Sequence, residues 1–379
     1  MNPFDLGSSQ PLAPPLFTSA VYTLPDLDAL DAIYDGKASG FIYVRDGHPN
    51  AQHLAAELAR LEGGSWAVVC GTGMAALSAA FLGLLSSGDT ILASDRLYGR
   101  TTQLLKQQLS RFGVNTVIVN MSDLNATRTA INGHKPKVVY AETMSNPMCH
   151  VPDLSALAEM AHGSGARVIV DNTFATPLLC RPLELGADLV MESLTKMIGG
   201  HSDVILGSLA GRDPHLLPTI AQVVSVWGFA ASPFGCWQAE RGLLTLDVRM
   251  RAATANAAAV ADWLAERPEV VRVIYPGRAD HPDHELSKRQ FPLGCGNMLC
   301  FELSGRDAVN KFMRSAPGIP FSPSLGHART TISYPAGTSH RYDSAEEKHR
   351  QGITDGLIRM SVGCEPLNEL MQEIERGLM

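Results

Sequence analysis

Residues 190–203 read VMESLTKMIGGHSD, an apolar run that delivers Ser193, Thr195 and Lys196 into a turn of small residues. A surface lysine needs no such setting, and a core lysine is costly unless it is paired. Desolvation there lowers the pKa of the amine and makes it a nucleophile toward carbonyl compounds. Other reactive side chains close other apolar runs. RVIVD ends in Asp171 with no basic neighbour in sequence, although a lone strand-end Asp also serves as a cap or turn former. WAVVC runs into GTGMAA, where Gly71 and Gly73 permit close backbone approach and a helix starts at once. Free N–H groups at such a start, with the helix dipole, seat a phosphate; the bland reading is a tight turn into a helix. TILASD leads to Tyr98 in RLYGR, and KVVYAE leads to Asn146 before a proline in TMSNP.

The segments that must position these residues alternate in character. WAVVC, TILASD (90–95), NTVIVN (115–120), KVVYAE (137–142), RVIVDN (167–172) and ADLVMES (187–193) are short β-rich runs. Between most of them lie helical patterns such as NAQHLAAELARLEGG, MAALSAAFLGLLSSG, TTQLLKQQLSRFG and DLSALAEMAHGSG. That alternation predicts an α/β fold with a mostly parallel sheet covered on both faces. Ligands bind outside the carboxyl ends of such strands, which is where the reactive residues stand. After about residue 245 a long Ala-rich helix and separate strands, VVRVIYPG and NMLCFELSG, predict a smaller α+β domain. The division is an N-terminal arm (1–47), a large domain (48–247) and a C-terminal domain (248–379).

The whole chain has 379 residues and a net charge of −7, which argues against nucleic-acid or anionic-membrane surfaces. No apolar stretch approaches a membrane span, and MNPFDLGSSQPLAPPLF lacks the order of a signal peptide. Seven scattered cysteines without Cys-x-x-Cys suit free thiols in a reducing cytoplasm and no metal site.

Taken together, these positions supply what pyridoxal 5′-phosphate needs. Lys196 can bond covalently to its aldehyde, and Asp171 can keep the pyridine nitrogen protonated so that the ring acts as an electron sink. The Ser193 and Thr195 hydroxyls and the Gly73 and Met74 amides can take the phosphate, and Tyr98 can stack on the ring. Lys196 considered alone could instead be a buried structural lysine.

The blocks GTGMAA, LYGR, AETMSNP, VIVDNTFATP, ESLTKMIGGHSDV and GLIRMSVGCE resemble the Cys/Met-metabolism (trans-sulfuration) family of pyridoxal-phosphate enzymes, from about Pro15 to the C-terminus. Its members include cystathionine γ-synthase, cystathionine and methionine γ-lyases and O-acylhomoserine sulfhydrylases. The resemblance implies the aspartate-aminotransferase-like (type I) fold and a homotetramer of catalytic dimers. It also implies Lys196 as the cofactor lysine, Asp171 as the pyridinium partner, Tyr98 as the stacking acid–base and Asn146 as the amide near the ring hydroxyl. Tyr43 and Arg45, in FIYVRDGHPN, match a pair that reaches the neighbouring subunit's phosphate, although His48-Pro49-Asn50 departs from the usual continuation. Arg359 matches the arginine for the substrate α-carboxylate, a bidentate task, and Ser324 a residue beside the lysine.

The implied chemistry starts with removal of the α-proton by Lys196, after which a group at Cγ can depart. A sulfide or thiol then adds (replacement), or ammonia and an oxo acid are released (elimination). Arg100 stands where methionine γ-lyases typically carry cysteine, and Arg329 where lyases usually carry glutamate. Each arginine is either solvated or a pocket cation; as pocket cations they favour an anionic substrate or leaving group. SLGHARTTISYPAGTSH is sulfhydrylase-like, so γ-replacement on an O-acylated homoserine is the expectation and γ-elimination the alternative. A non-catalytic scaffold is disfavoured by the intact Lys196–Asp171 pair, and an aminotransferase by the GHSD and VDNTFATP blocks.

Overall fold

The computed structural model describes residues 8–379; the first seven residues of the expected arm, and with them the start of MNPFDLGSSQPLAPPLF, lie outside it. Seven strands form the larger sheet: β1 (Trp66–Cys70), β2 (Thr90–Ser94), β3 (Asn115–Val119), β4 (Val138–Glu142), β5 (Arg167–Asp171), β6 (Leu189–Glu192) and β7 (Gly207–Gly211). Their spatial order is β1-β7-β6-β5-β4-β2-β3; β6, β5, β4, β2 and β3 run parallel, and β7 is antiparallel to both neighbours. β4 is buried at every position because helices cover both faces. Alternate residues serve the two faces: Val139 and Ala141 join a core with the helices Pro49–Glu62 and Leu154–Gly163. Val138 and Tyr140 join the other core, with the helices Gly73–Leu84 and Leu216–Val226.

A second, antiparallel sheet has the order β10-β11-β9-β8, built from β8 (Arg272–Ile274), β9 (Met298–Glu302), β10 (Thr331–Ser333) and β11 (Leu357–Ser361). Phe301 and Phe312 of this part share one apolar cluster with Val139 and Leu157 of the larger sheet's layer. The two sheets are thus held by a continuous core. The expected division at 247/248 falls in the first turn of the helix Leu246–Ala265.

Two expectations change. The single helix predicted over TTQLLKQQLSRFG is regular only over Gly99–Gln103, then widens over Leu104–Gln108 and tightens over Leu109–Phe112. Thr116 Oγ1 donates to the Leu105 carbonyl at 3.2 Å, and the Leu109 N–H turns to Leu104 instead, which opens the ladder. Strand β7, GSLAG, has no strand-like composition. Gly207 is needed for contact: a Cβ there would collide with the Thr72 carbonyl, where β7 passes the start of the helix Gly73–Leu84.

Candidate active site

A cavity of about 240 Å³ opens at the carboxyl ends of β4, β5 and β6, under the smaller sheet. It is lined by Gly73, Met74, Tyr98, Asn146, Asp171, Ser193, Thr195, Lys196 and Arg359, so residues drawn from six separate stretches of sequence meet in one place. Ser324 joins them through Lys196, whose Nζ donates to Ser324 Oγ at 3.1 Å. That approach depends on Gly326, whose φ of +81° and missing side chain let the loop touch the Lys196 backbone. Burial, and then the charge of Arg359, lowers the Lys196 pKa.

Asp171 ends β5 and faces the cavity, its Oδ1 accepting the Thr173 N–H at 2.9 Å. Burial pushes its carboxyl up, while hydrogen bonding from Thr173 pulls the other way. On the phosphate side, Thr72 caps the helix Gly73–Leu84 by accepting from Ala75 N at 2.9 Å. A Cβ at Gly73 would come within 3.0 Å of Ser193 Oγ, so only glycine leaves the helix start open as a cradle. Ser193 lines that cradle. The Thr195 hydroxyl, in contrast, donates to the Leu206 carbonyl at 3.2 Å and accepts its N–H at 3.1 Å, which ties this residue to the backbone.

Arg359, on β11, is 4% exposed. Its Nη1 donates to Asn146 Oδ1 and its Nη2 to the Ser324 carbonyl, both at 2.8 Å, while Nε has no partner. The described partners are an amide and a carbonyl, with no carboxylate. A buried guanidinium in that state is a receptor for an anion. Asn146 was expected near the cofactor ring; it lines the cavity and also orients Arg359.

Tyr43 and Arg45 do not reach this cavity. Arg45 lies over the Tyr43 ring, 4.8 Å from its centroid, beside the arm's own pocket. Tyr98 sits at the mouth, 43% exposed, and Ile205 lines the cavity while 64% exposed, so one side of the site is uncovered in a single chain. Outside Tyr98 an adjoining chamber is lined by Arg100, Lys106, Gln103 and Asp343, and shares Pro323 and Ser339 with the cavity. Arg329 lines neither of these two spaces.

Sequence reasoning missed Glu142, Thr173, Phe174 and Ser339, all lining the cavity. Glu142 gave the same signal as Asp171, an acid closing an apolar run. Ser339 gave none.

An amine, a strand-end acid, an open helix start and a stackable ring, arranged around one cavity, define a pyridoxal-phosphate site on a type I fold. The chain belongs to the family described as Cys/Met metabolism PLP-dependent enzymes, which it matches over residues 5–379. It is 40% identical to the cystathionine beta-lyase of Bacillus subtilis, over 89% of this chain and 85% of that one. It is 38% identical to the O-succinylhomoserine sulfhydrylase of Pseudomonas aeruginosa, over 96% and 90%. The crystal structure of cystathionine gamma synthase from Xanthomonas oryzae pv. oryzae, in complex with aminoacrylate and cysteine, superposes with a TM-score of 0.91. There the identity is 34%, covering 97% of this chain and 92% of that one.

Proposed function

We propose that this trans-sulfuration enzyme catalyses γ-replacement on an O-acylated homoserine, with sulfide or a thiol as the incoming group. Pyridoxal phosphate, when bound, supplies the electron sink. Lys196 would hold it, with Asp171 at the ring nitrogen, Tyr98 on the ring face and Ser193, Gly73 and Met74 at the phosphate, while Thr195, its hydroxyl committed to Leu206, would fix the turn that carries Ser193. Arg359, steered by Asn146 and Ser324, binds the substrate carboxylate. The Lys196 amine moves the proton at the substrate α-carbon, and Tyr98 serves the leaving group as an acid–base.

The observation that carries the choice of substrate is the outer chamber, where two cations, Arg100 and Lys106, face one acid, Asp343. A wall of that sign favours an acyl group bearing negative charge over a distal ammonium. Asp343 supports the second reading, γ-elimination, because it could hold the distal ammonium of a cystathionine-like substrate. Product analysis with O-succinylhomoserine, O-acetylhomoserine, cystathionine and methionine, with and without sulfide, separates the two. Replacement on an acylated homoserine should dominate; dominant breakdown of methionine or cystathionine would sink the reading. Arg100→Ala should lower kcat/KM on O-succinylhomoserine by about tenfold, the size of a modest charge-assisted contact, and leave O-acetylhomoserine nearly unaffected.

The same reading makes the active form a cytoplasmic homotetramer in which Tyr43 and Arg45 cross to the partner's phosphate. The uncovered side at Tyr98 and Ile205 is consistent with a partner closing it. Arg45→Ala should cost about 1.5–3 kcal/mol of cofactor binding while the fold stays intact. A fully active, cofactor-saturated monomer would rule the shared site out.

A further inference from the structure

Glu142 is the last residue of β4, and its Cα partner across the sheet is Asp171 at the end of β5. Both side chains line the same cavity, and Glu142 is 7% exposed. Its Oε1 accepts the backbone N–H of Tyr98 at 2.6 Å. Tyr98 stands at the start of the helix Gly99–Gln103 without a side-chain cap, so this bond ties its backbone to the sheet.

We propose that Glu142 is a positioning residue: it fixes Tyr98 at the mouth of the site and, as the neutral member of the Glu142–Asp171 pair, leaves Asp171 as the anion. The inference rests on Asp171 and Tyr98 having the cofactor contacts given above. Two carboxyls at the ends of adjacent parallel strands cannot both ionise cheaply in a poorly solvated pocket. Asp171 accepts from Thr173 N and would face a ring N–H, so it is the better site for the charge. The other titratable groups facing Glu142 are Tyr140 on its own strand, Lys196 and Arg359 around the cavity, and Arg96 and His150 across a small cleft. Arg96 donates to Ser122 Oγ at 3.3 Å, and His150 Nδ1 pairs with Asp283 at 3.1 Å; neither forms an ion pair with Glu142. Burial, and then the charge of Asp171, holds the Glu142 carboxyl well above the usual range, in keeping with a neutral acid. Neutral Glu142 still accepts the Tyr98 N–H through its carbonyl oxygen, a role that glutamine reproduces.

The sign of the pH effect follows. An acid with a raised folded-state pKa costs stability progressively as pH rises from its unfolded pKa, about 4.3, toward the folded one. Cofactor-free Glu142→Gln should therefore melt above cofactor-free wild type, by a margin that grows between pH 5 and pH 8. An ionised, merely structural carboxylate would give a less stable Gln variant and no growing margin. Equilibrium dialysis with pyridoxal phosphate supplies the second readout. Glu142→Gln should bind within about threefold of wild type, and Glu142→Ala about tenfold more weakly through loss of the tether. In a Tyr98→Ala background, Glu142→Ala should add nothing further. Tenfold weaker binding by Glu142→Gln, a flat or negative stability margin, or additive Glu142 and Tyr98 effects would each overturn the proposal. Tyr98→Ala alone reports on the stacking assignment, because unchanged affinity there would fault that contact and not the Glu142 pairing.

Discussion

Lys196→Ala should abolish the adduct that borohydride traps between cofactor and chain and should cut turnover by about 10³-fold or more. Wild-type protein should purify yellow, since the amine–aldehyde link absorbs visible light, and the variant should not. The expectation rests on an amine held in the cavity by one hydroxyl, Ser324 Oγ, with no carboxylate bonded to it among the described residues. Mapping the reduced adduct by mass spectrometry to any other lysine would make the central assignment wrong. A cofactor-free measurement provides an independent check. Burial, and then the nearby Arg359 charge, lowers the Lys196 pKa, so the charged amine destabilises the fold below its folded pKa. That destabilisation fades as pH rises from the folded pKa to the unfolded value, about 10.4. Cofactor-free Lys196→Met should therefore melt above cofactor-free wild type near neutral pH, with the gap closing as pH climbs toward 10.

The parts of the site that were legible in the sequence share one physical cause. Lys196, Asp171 and the GTGMAA turn each end an apolar run, and in a parallel sheet those ends converge on one edge. The order of the strands was not legible, and β7 shows why. Its GSLAG composition reflects close packing against Thr72 and Gly73, a constraint from residues far away in the chain. Arg359 could be assigned only through family resemblance, because its meaning lies in a bond to Asn146, 213 residues earlier. Tyr43 and Arg45 are harder still: nothing in a single chain brings them to the cavity. Glu142 was readable on the same terms as Asp171, yet its role emerges only from the register that sets the two acids side by side.

Arg359→Ala should lower kcat/KM for amino-acid substrates by about 10²-fold or more, mainly through substrate binding. Truncating one member of a buried, hydrogen-bonded charge pair costs about 2–5 kcal/mol. Here no described residue supplies an anion: the guanidinium is held by Asn146 Oδ1 and the Ser324 carbonyl, with Nε unpartnered among the described residues. The substrate carboxylate is then the charge that completes the site. Arg359→Lys keeps the charge but loses the planar fork that grips both neighbours, so its loss should be smaller than that of Ala yet still large. A substrate analogue with the carboxylate reduced to an alcohol isolates the interaction. It should bind wild type and Arg359→Ala about equally poorly, because the cycle removes both members of the same pair. If the analogue instead loses affinity through the mutation as steeply as the carboxylate substrate does, Arg359 acts by supporting the Asn146 and Ser324 loops, and the carboxylate is bound elsewhere.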